Sequence, residues 1–593
     1  MKNNLLLILQ TSEVTSENWL SSPGVIGTIV LIFIVLFLGI FIFIKRLNRY
    51  VDVLEDNKKD LSEEDFERRL INLDKAEVDH ILKARQQGFK DEEKPADTVE
   101  APSKYSGFIK KIIDPKNPLF DEKARSTTQI KISKELKQII VWYLGAGIFW
   151  LVFGTLVGQY LGMKFIWPDL DKISWLSFGR LRPVHTNTVF WGWASLAMVG
   201  LGHYVVSRTS NREIFNYKWS KIAFWLINSC VFIGNIFLMA GINNGGGEYR
   251  EYIWPIMALF AIGLIIIFFN FYKTVATRKI SEIYISNWFI LASLIWTIVL
   301  AIIGYFPSYQ DGLGETVIQG YYMHQGVGMW FMTFTLGLVY YFLPSALNKP
   351  IYSYSLGVLA FWTQMLFYTL IGTHHFVFSP LPWWLQTVAI VFSAGMFIPV
   401  FAGTTNFLMT MRGSWNHISK SYVLPFFLVG VVFYFVGSVQ GSFQAFRFTN
   451  YLWHFTDFNV AHSHMTMYGI ITFLMWACIY ALLPKITGKE PPQNLVGAHF
   501  WLAFIGLIAY MVSLMVGGTL KGLSWIEGNP FIESVILMEN YWVWRAVGGT
   551  LMFISHIIFA YNFYLMVRKK KKVKHSFLPD RQAQKETLNT QSN

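Results

Sequence analysis

The chain has 593 residues, 53% of them hydrophobic and 17% aromatic, with a mean hydropathy of +0.37. These values exclude an ordinary soluble globule and fit a polytopic membrane protein. The net charge of +13 does not point to nucleic acid, because the cations sit at membrane flanks: Lys45 and Arg46 follow the first apolar run, and Lys569, Lys570, Lys571, Lys572 and Lys574 follow the last.

The first apolar run, residues 25–44, starts late, is long for a signal peptide and lacks a small-residue cleavage site after it, so it is expected to be a retained anchor. A charged stretch follows. Its 61–67 segment, Leu-Ser-Glu-Glu-Asp-Phe-Glu, is a helix-start pattern, and residues 96–103 are linker-like. Twelve further apolar runs are centred near residues 149, 195, 230, 263, 296, 330, 366, 398, 433, 470, 507 and 555. Each is long enough for about 30 Å of hydrocarbon. The expected fold is therefore all-α and polytopic, a twelve-helix core at 135–568. An N-terminal transmembrane anchor at 1–50, a charged cytoplasmic segment and linker at 51–134, and a basic, disordered cytoplasmic tail at 569–593 complete the domain plan. Alternate loops carry the cations (Arg208, Arg212, Lys218 and Lys221; Lys273, Arg278 and Lys279; Lys349; Arg412 and Lys420; Lys485 and Lys489), which places both ends of the twelve inside and the start of the chain outside. No internal repeat marks an inverted-repeat transporter. Cys230 and Cys478 both fall in apolar runs and no Cys-x-x-Cys-His occurs, which excludes covalent c-type haem in this chain.

Thirteen histidines remain to be explained. His80, His417 and His575 lie in polar segments, His454 at an outer helix end, and His203, His499 and His556 are expected to be satisfied interior histidines. The other six, His185, His324, His374, His375, His462 and His464, cluster toward the outer halves of four membrane segments. Ionisable groups at membrane depth are costly and mark function. His462 and His464 are two residues apart, which on a helix is about 200°, so one helix offers an imidazole to each of two neighbours. Neutral imidazole suits copper, iron and axial haem ligation. The simplest allocation gives one haem His185 plus one of the pair, gives a second haem the other member, and leaves His324, His374 and His375 for copper.

The sequence resembles the haem-copper oxidase superfamily, most closely the catalytic subunit of cbb3-type cytochrome c oxidases, over roughly residues 135–568. Arg182-Pro183-Val184-His185-Thr186 is similar to its low-spin haem segment, Tyr368 through Gly372-Thr373-His374-His375 to its copper-and-tyrosine helix, and His454-Phe455-Thr456-Asp457 with His462-Ser463-His464 to its haem-bridging helix. The resemblance implies His464 and His185 on the low-spin haem, His462 on the high-spin haem, and His324, His374 and His375 on copper B. It implies two b-type haems, and a Tyr368 covalently joined to His324 that supplies an electron and a proton when the O–O bond breaks. It also implies a carboxylate on a calcium ion, best matched by Glu248 rather than Glu251, and a single proton channel containing Tyr434. Gln440 stands where that channel has a glutamate, and Gly357 and Ala360 where polar groups are common, with Thr363 or Ser355 as substitutes.

The implied reaction is dioxygen reduction to water, coupled to proton translocation, in a bacterial cytoplasmic membrane. Electrons come from cytochrome c through membrane-anchored c-type cytochrome subunits. The N-terminal anchor and its charged segment are expected to dock a partner or assembly factor. Two rival readings are a nitric oxide reductase on the same scaffold, disfavoured by Tyr368 and by the absence of a carboxylate in 325–330, and a proton-coupled transporter, disfavoured by the scarcity of titratable partners in 355–411 and 456–484.

Overall fold

The computed structural model describes residues 132–170, 172–306 and 311–568. The anchor, nearly all of the charged segment and the basic tail lie outside the described residues. Among those residues the chain is all-helical, with no strand. Eleven helices are long and apolar enough to span a bilayer: α1 (Lys134–Met163), α2 (Phe178–Thr209), α3 (Tyr217–Ala240), α4 (Trp254–Ala276), α5 (Ile285–Tyr305), α6 (Gly312–Leu347), α8 (Trp383–Met411), α9 (Leu424–Ala445), α10 (Asp457–Thr487), α11 (Gln493–Ile526) and α12 (Phe531–Val567).

The remaining apolar segment of the twelve, expected as one helix near residue 366, is interrupted. Helix α7 covers Tyr354–Tyr368 and stops, and a 3₁₀ turn at Gly372–Phe376 follows. His374 and His375 therefore do not share a continuous helix with Tyr368, as the motif alone suggests. The cause is a glycine-to-glycine approach: a Cβ on Gly372 would lie 2.6 Å from the carbonyl oxygen of Gly320 in α6. The bare backbone lets the turn press against α6, where a continued helix would have carried it past.

Side-chain caps set several helix starts. Ser133 caps α1, Asn216 caps α3, Ser353 caps α7 and Thr456 caps α10, each accepting from a first-turn amide. Burial then sorts the helices. The most apolar windows of α2, α6 and α10 are 94%, 89% and 83% buried, against 39–50% for the other spans. A helix apolar all round and buried all round belongs in the middle of a bundle. These three form the interior, and the others present one face outward. All three also change winding, from α to π, at Thr188–Ala194, Gly326–Met332 and Met465–Thr472. A π segment lets the helix on either side of it face a different way, and such segments concentrate at functional sites. Each begins within a few residues of a histidine: His185, His324 and the His462–His464 pair.

Candidate metal centre

Two cavities meet at α10. The first, of about 260 Å³, is lined by His185 and His464, together with Arg182, Arg545 and His556. The imidazoles of His185 and His464 face each other with ring centroids 6.4 Å apart and planes 15° from parallel. Two metal–nitrogen bonds of about 2 Å and half an imidazole on either side add up to roughly that distance, so one metal ion would fit between them. Nδ1 of His185 donates to the Gly154 carbonyl at 2.7 Å, and Nδ1 of His464 to the Val460 carbonyl at 2.8 Å. A carbonyl only accepts, so both rings carry their proton on Nδ1 and keep the Nε2 lone pair free for a metal. Gly158 makes room for this arrangement: a Cβ there would lie 2.5 Å from the His185 ring. Arg182 and Arg545 supply guanidinium groups suited to the carboxylates of a haem.

The second cavity, of about 500 Å³, is lined by His324, Tyr368, His374, His375 and His462. The ligand nitrogens of His324, His374 and His375 lie within 4.8 Å of one another. Nδ1 of His324 is buried with no hydrogen-bond partner, the condition of an atom that a metal would satisfy. His374 is oriented by a hydrogen bond between its Nδ1 and the Ser393 hydroxyl. Three neutral imidazoles with an open side suit copper. The Tyr368 ring centroid is 5.3 Å from that of His324. Its place is made by Gly328 on α6, where a Cβ would fall 2.0 Å from the phenol ring. The α7 end is also held by Gln325, whose amide donates to the Tyr368 carbonyl.

Gln440 is not placed as a channel residue alone. Its side-chain oxygen accepts from Nδ1 of His462 at 2.9 Å, which leaves Nε2 of His462 as the free donor atom. Tyr434, on the same helix, is buried, donates to the Pro399 carbonyl at 3.4 Å and lines neither cavity. The substitutes expected on α7 do not face the interior. Ser355 is exposed, and Thr363 bonds back to the Leu359 carbonyl of its own helix. Sequence reasoning missed the buried polar group that α7 does present, Gln364, which donates to Thr333 Oγ1 at 2.7 Å.

At the outer rim, Glu248 lines both cavities and pairs with Arg182 at 2.6 Å. Glu251 is the buried carboxyl: Asn187 donates to it at 2.9 Å, and burial pushes its pKa up to about 7. Asp457, at the start of α10, pairs with Lys521 at 3.0 Å and accepts from the Trp542 indole at 3.2 Å. Of the histidines expected to be structural, His203 bonds the Val199 carbonyl and Ser220, and His499 bonds Tyr480. His556 bonds Thr155 and Tyr468 at the edge of the first cavity, and His454 bonds Asn450 at the edge of the second.

Residues 138–551 match the family described as Cytochrome C and Quinol oxidase polypeptide I, and the chain belongs to that family. Within it, the chain is 31% identical over 443 residues to the cbb3-type cytochrome c oxidase subunit CcoN1 of Stutzerimonas stutzeri, spanning 72% of this chain and 93% of that one. It is also 31% identical over 450 residues to a cytochrome c oxidase subunit 1 homolog of Agrobacterium tumefaciens, spanning 72% and 83%. Its fold matches a heme-copper terminal oxidase dimer solved by cryo-EM, with a TM-score of 0.64 and 17% identity over 74% of this chain and 85% of that one.

Proposed function

We infer that this chain is the catalytic subunit of a cbb3-type cytochrome c oxidase, a multi-pass membrane enzyme that reduces dioxygen to water. One observation carries the reading: three histidines of a metal site, a fourth histidine on α10 and a buried tyrosine line one cavity, and a second pair of facing imidazoles lies across the same helix. Four electrons and four protons turn one dioxygen into two waters. Haem iron and copper, when bound, would relay electrons delivered from cytochrome c and supply the place where dioxygen is reduced. The protein's own residues do the rest. His185 and His464 would hold the low-spin haem, His462 the high-spin haem, and His324, His374 and His375 the copper. Tyr368 would hold a proton at its phenol oxygen, beside His324, ready to give to reduced oxygen. Arg182 and Arg545 would neutralise haem carboxylates. The relatives are oxidases by name, and no carboxylate stands in 325–330, so nitric oxide reduction is not the reading supported.

The finer inventory is two b-type haems and one copper. The calcium expected at Glu248 has little geometric support. Arg182 already pairs with that carboxylate at 2.6 Å, whereas Ca²⁺ seeks six to eight oxygens. Proton uptake past Tyr434 toward Gln440 belongs to the same proposal, with the limit that glutamine accepts and donates hydrogen bonds without titrating. Electrons would come from cytochrome c through membrane-anchored c-type subunits in a bacterial cytoplasmic membrane, with residues 1–134 docking a partner or assembly factor. The test is a haem and metal inventory of the purified complex alongside oxygen consumption. Two b haems and one copper per chain, with oxygen uptake driven by reduced cytochrome c, are expected. A complex without b-type haem overturns the reading.

Gln440 gives a sharper expectation. A carboxylate accepting from Nδ1 makes an imidazole a stronger donor than a neutral amide does. Gln440→Glu should therefore lower the reduction potential of the haem held by His462, and Gln440→Leu, which removes the acceptor, should raise it. Spectroelectrochemical titration reads both, and shifts of the same sign would contradict the hydrogen bond's role.

A further inference from the structure

The three π segments end alike. At each, the hydroxyl of a residue at the C-terminal boundary donates to the carbonyl five residues back. Ser195 bonds Phe190 at 3.0 Å, Thr333 bonds Gly328 at 2.9 Å, and Thr472 bonds Met467 at 2.9 Å. Serine and threonine in ordinary helix bond three or four residues back, as Thr155, Thr209, Thr274 and Thr297 do here. The five-residue reach thus goes with the wide turn. Each of these hydroxyls also accepts an N–H from a neighbouring helix: Trp330 to Ser195 at 2.9 Å, Gln364 to Thr333 at 2.7 Å, and Trp193 to Thr472 at 3.2 Å. The bonds run in one sequence, from α7 to α6, from α6 to α2, and from α2 to α10. Those four helices carry or immediately precede all six histidines, and Tyr368 ends α7. All three hydroxyl residues are buried, where no water replaces a lost partner.

We infer that Ser195, Thr333 and Thr472 are positioning residues, whose hydroxyls hold the π register of α2, α6 and α10 and so aim the histidines into the two cavities. Returning a π turn to α winding changes the register by one residue, about 100° and 1.5 Å. A turn of that size would carry His185, His324 or the His462–His464 pair off its cavity. The inference rests on the oxidase reading for its spectroscopic readouts only.

The test is made in the whole complex, with Ser195→Ala, Thr333→Val and Thr472→Val against the hydroxyl-retaining Ser195→Thr, Thr333→Ser and Thr472→Ser. A cryo-EM map of each variant reads the register directly. Loss of the π segment is expected in the first set and its retention in the second. Ser195→Ala and Thr472→Val should alter the low-spin haem spectrum, and Thr333→Val should lower copper per haem. Turnover should fall at least about 10²-fold in each, the loss that a displacement near 1 Å alone brings. Should a valine variant fail to assemble, Thr333→Ala and Thr472→Ala remove the same hydroxyls without the added methyl, and loss of the π segment is expected in them too. Unchanged register with wild-type spectra and copper content overturns the proposal. Absence of haem from the wild-type complex sinks the oxidase reading instead, and the maps still decide the register.

Discussion

Tyr368→Phe should lower dioxygen turnover by about 10²–10⁴-fold, the usual contribution of a positioned proton donor, while haem and copper contents stay at wild-type levels. Phenylalanine fills the same space, and Gly328 leaves room for the ring whichever residue carries it. The nearby histidines keep their supports: His462 its bond to Gln440, His374 its bond to Ser393. The bond from Gln325 goes to the backbone carbonyl of residue 368 and survives the change. What is lost is one hydroxyl, buried beside His324 in the cavity that His462 also lines. Oxygen consumption with reduced cytochrome c, measured beside a haem spectrum and copper analysis, separates the two contributions. Undiminished turnover would make the tyrosine a packing residue. Loss of copper along with turnover would make it part of the metal's scaffold, and neither agrees with a proton donor.

The six histidines were legible because imidazole at membrane depth is rare and costly, and their spacing already implied two separate centres. Less legible was anything that depends on backbone winding. Thr188–Ala194, Gly326–Met332 and Met465–Thr472 have the apolar composition of ordinary helix, and nothing in their side chains announces a π turn. The stop after Tyr368 was hidden for a related reason. No proline or charged residue breaks the run from there to His375, and the interruption comes from contact between Gly372 and Gly320 on another helix. Gln440 was visible as an odd residue in a channel motif. Its bond to His462 spans two helices, and a motif read along one helix does not contain it. The glycines at 158, 328 and 441 belong to the same class: each leaves space for a ring donated by a different helix, and each is silent until that helix is in place.

His464→Leu and His462→Leu should both stop turnover with cytochrome c but have opposite spectroscopic consequences, although the two residues are separated by Ser463 alone. The His464 ring lies parallel to that of His185 across the first cavity. On the proposed assignment the haem there would lose one of its two imidazoles, so the low-spin optical and EPR signals should disappear and turnover with cytochrome c should stop. The second cavity keeps its four histidines, and carbon monoxide should still bind there after chemical reduction. His462 lines the second cavity and bonds Gln440. Its loss should abolish carbon monoxide binding and turnover but leave the low-spin signals intact. If both variants lost the low-spin signals, or if the effects were exchanged, the assignment of the two histidines would be wrong. The pattern also bears on the route of the electron. Ser463 lines both cavities and donates to the Asn459 carbonyl, so it is fixed in the wall between them. If His464 and His462 each hold a haem, the backbone around Ser463 would be the short link between the two. The His464→Leu complex, reduced at its second centre by a small chemical donor that bypasses the first, should recover oxygen uptake that cytochrome c cannot drive.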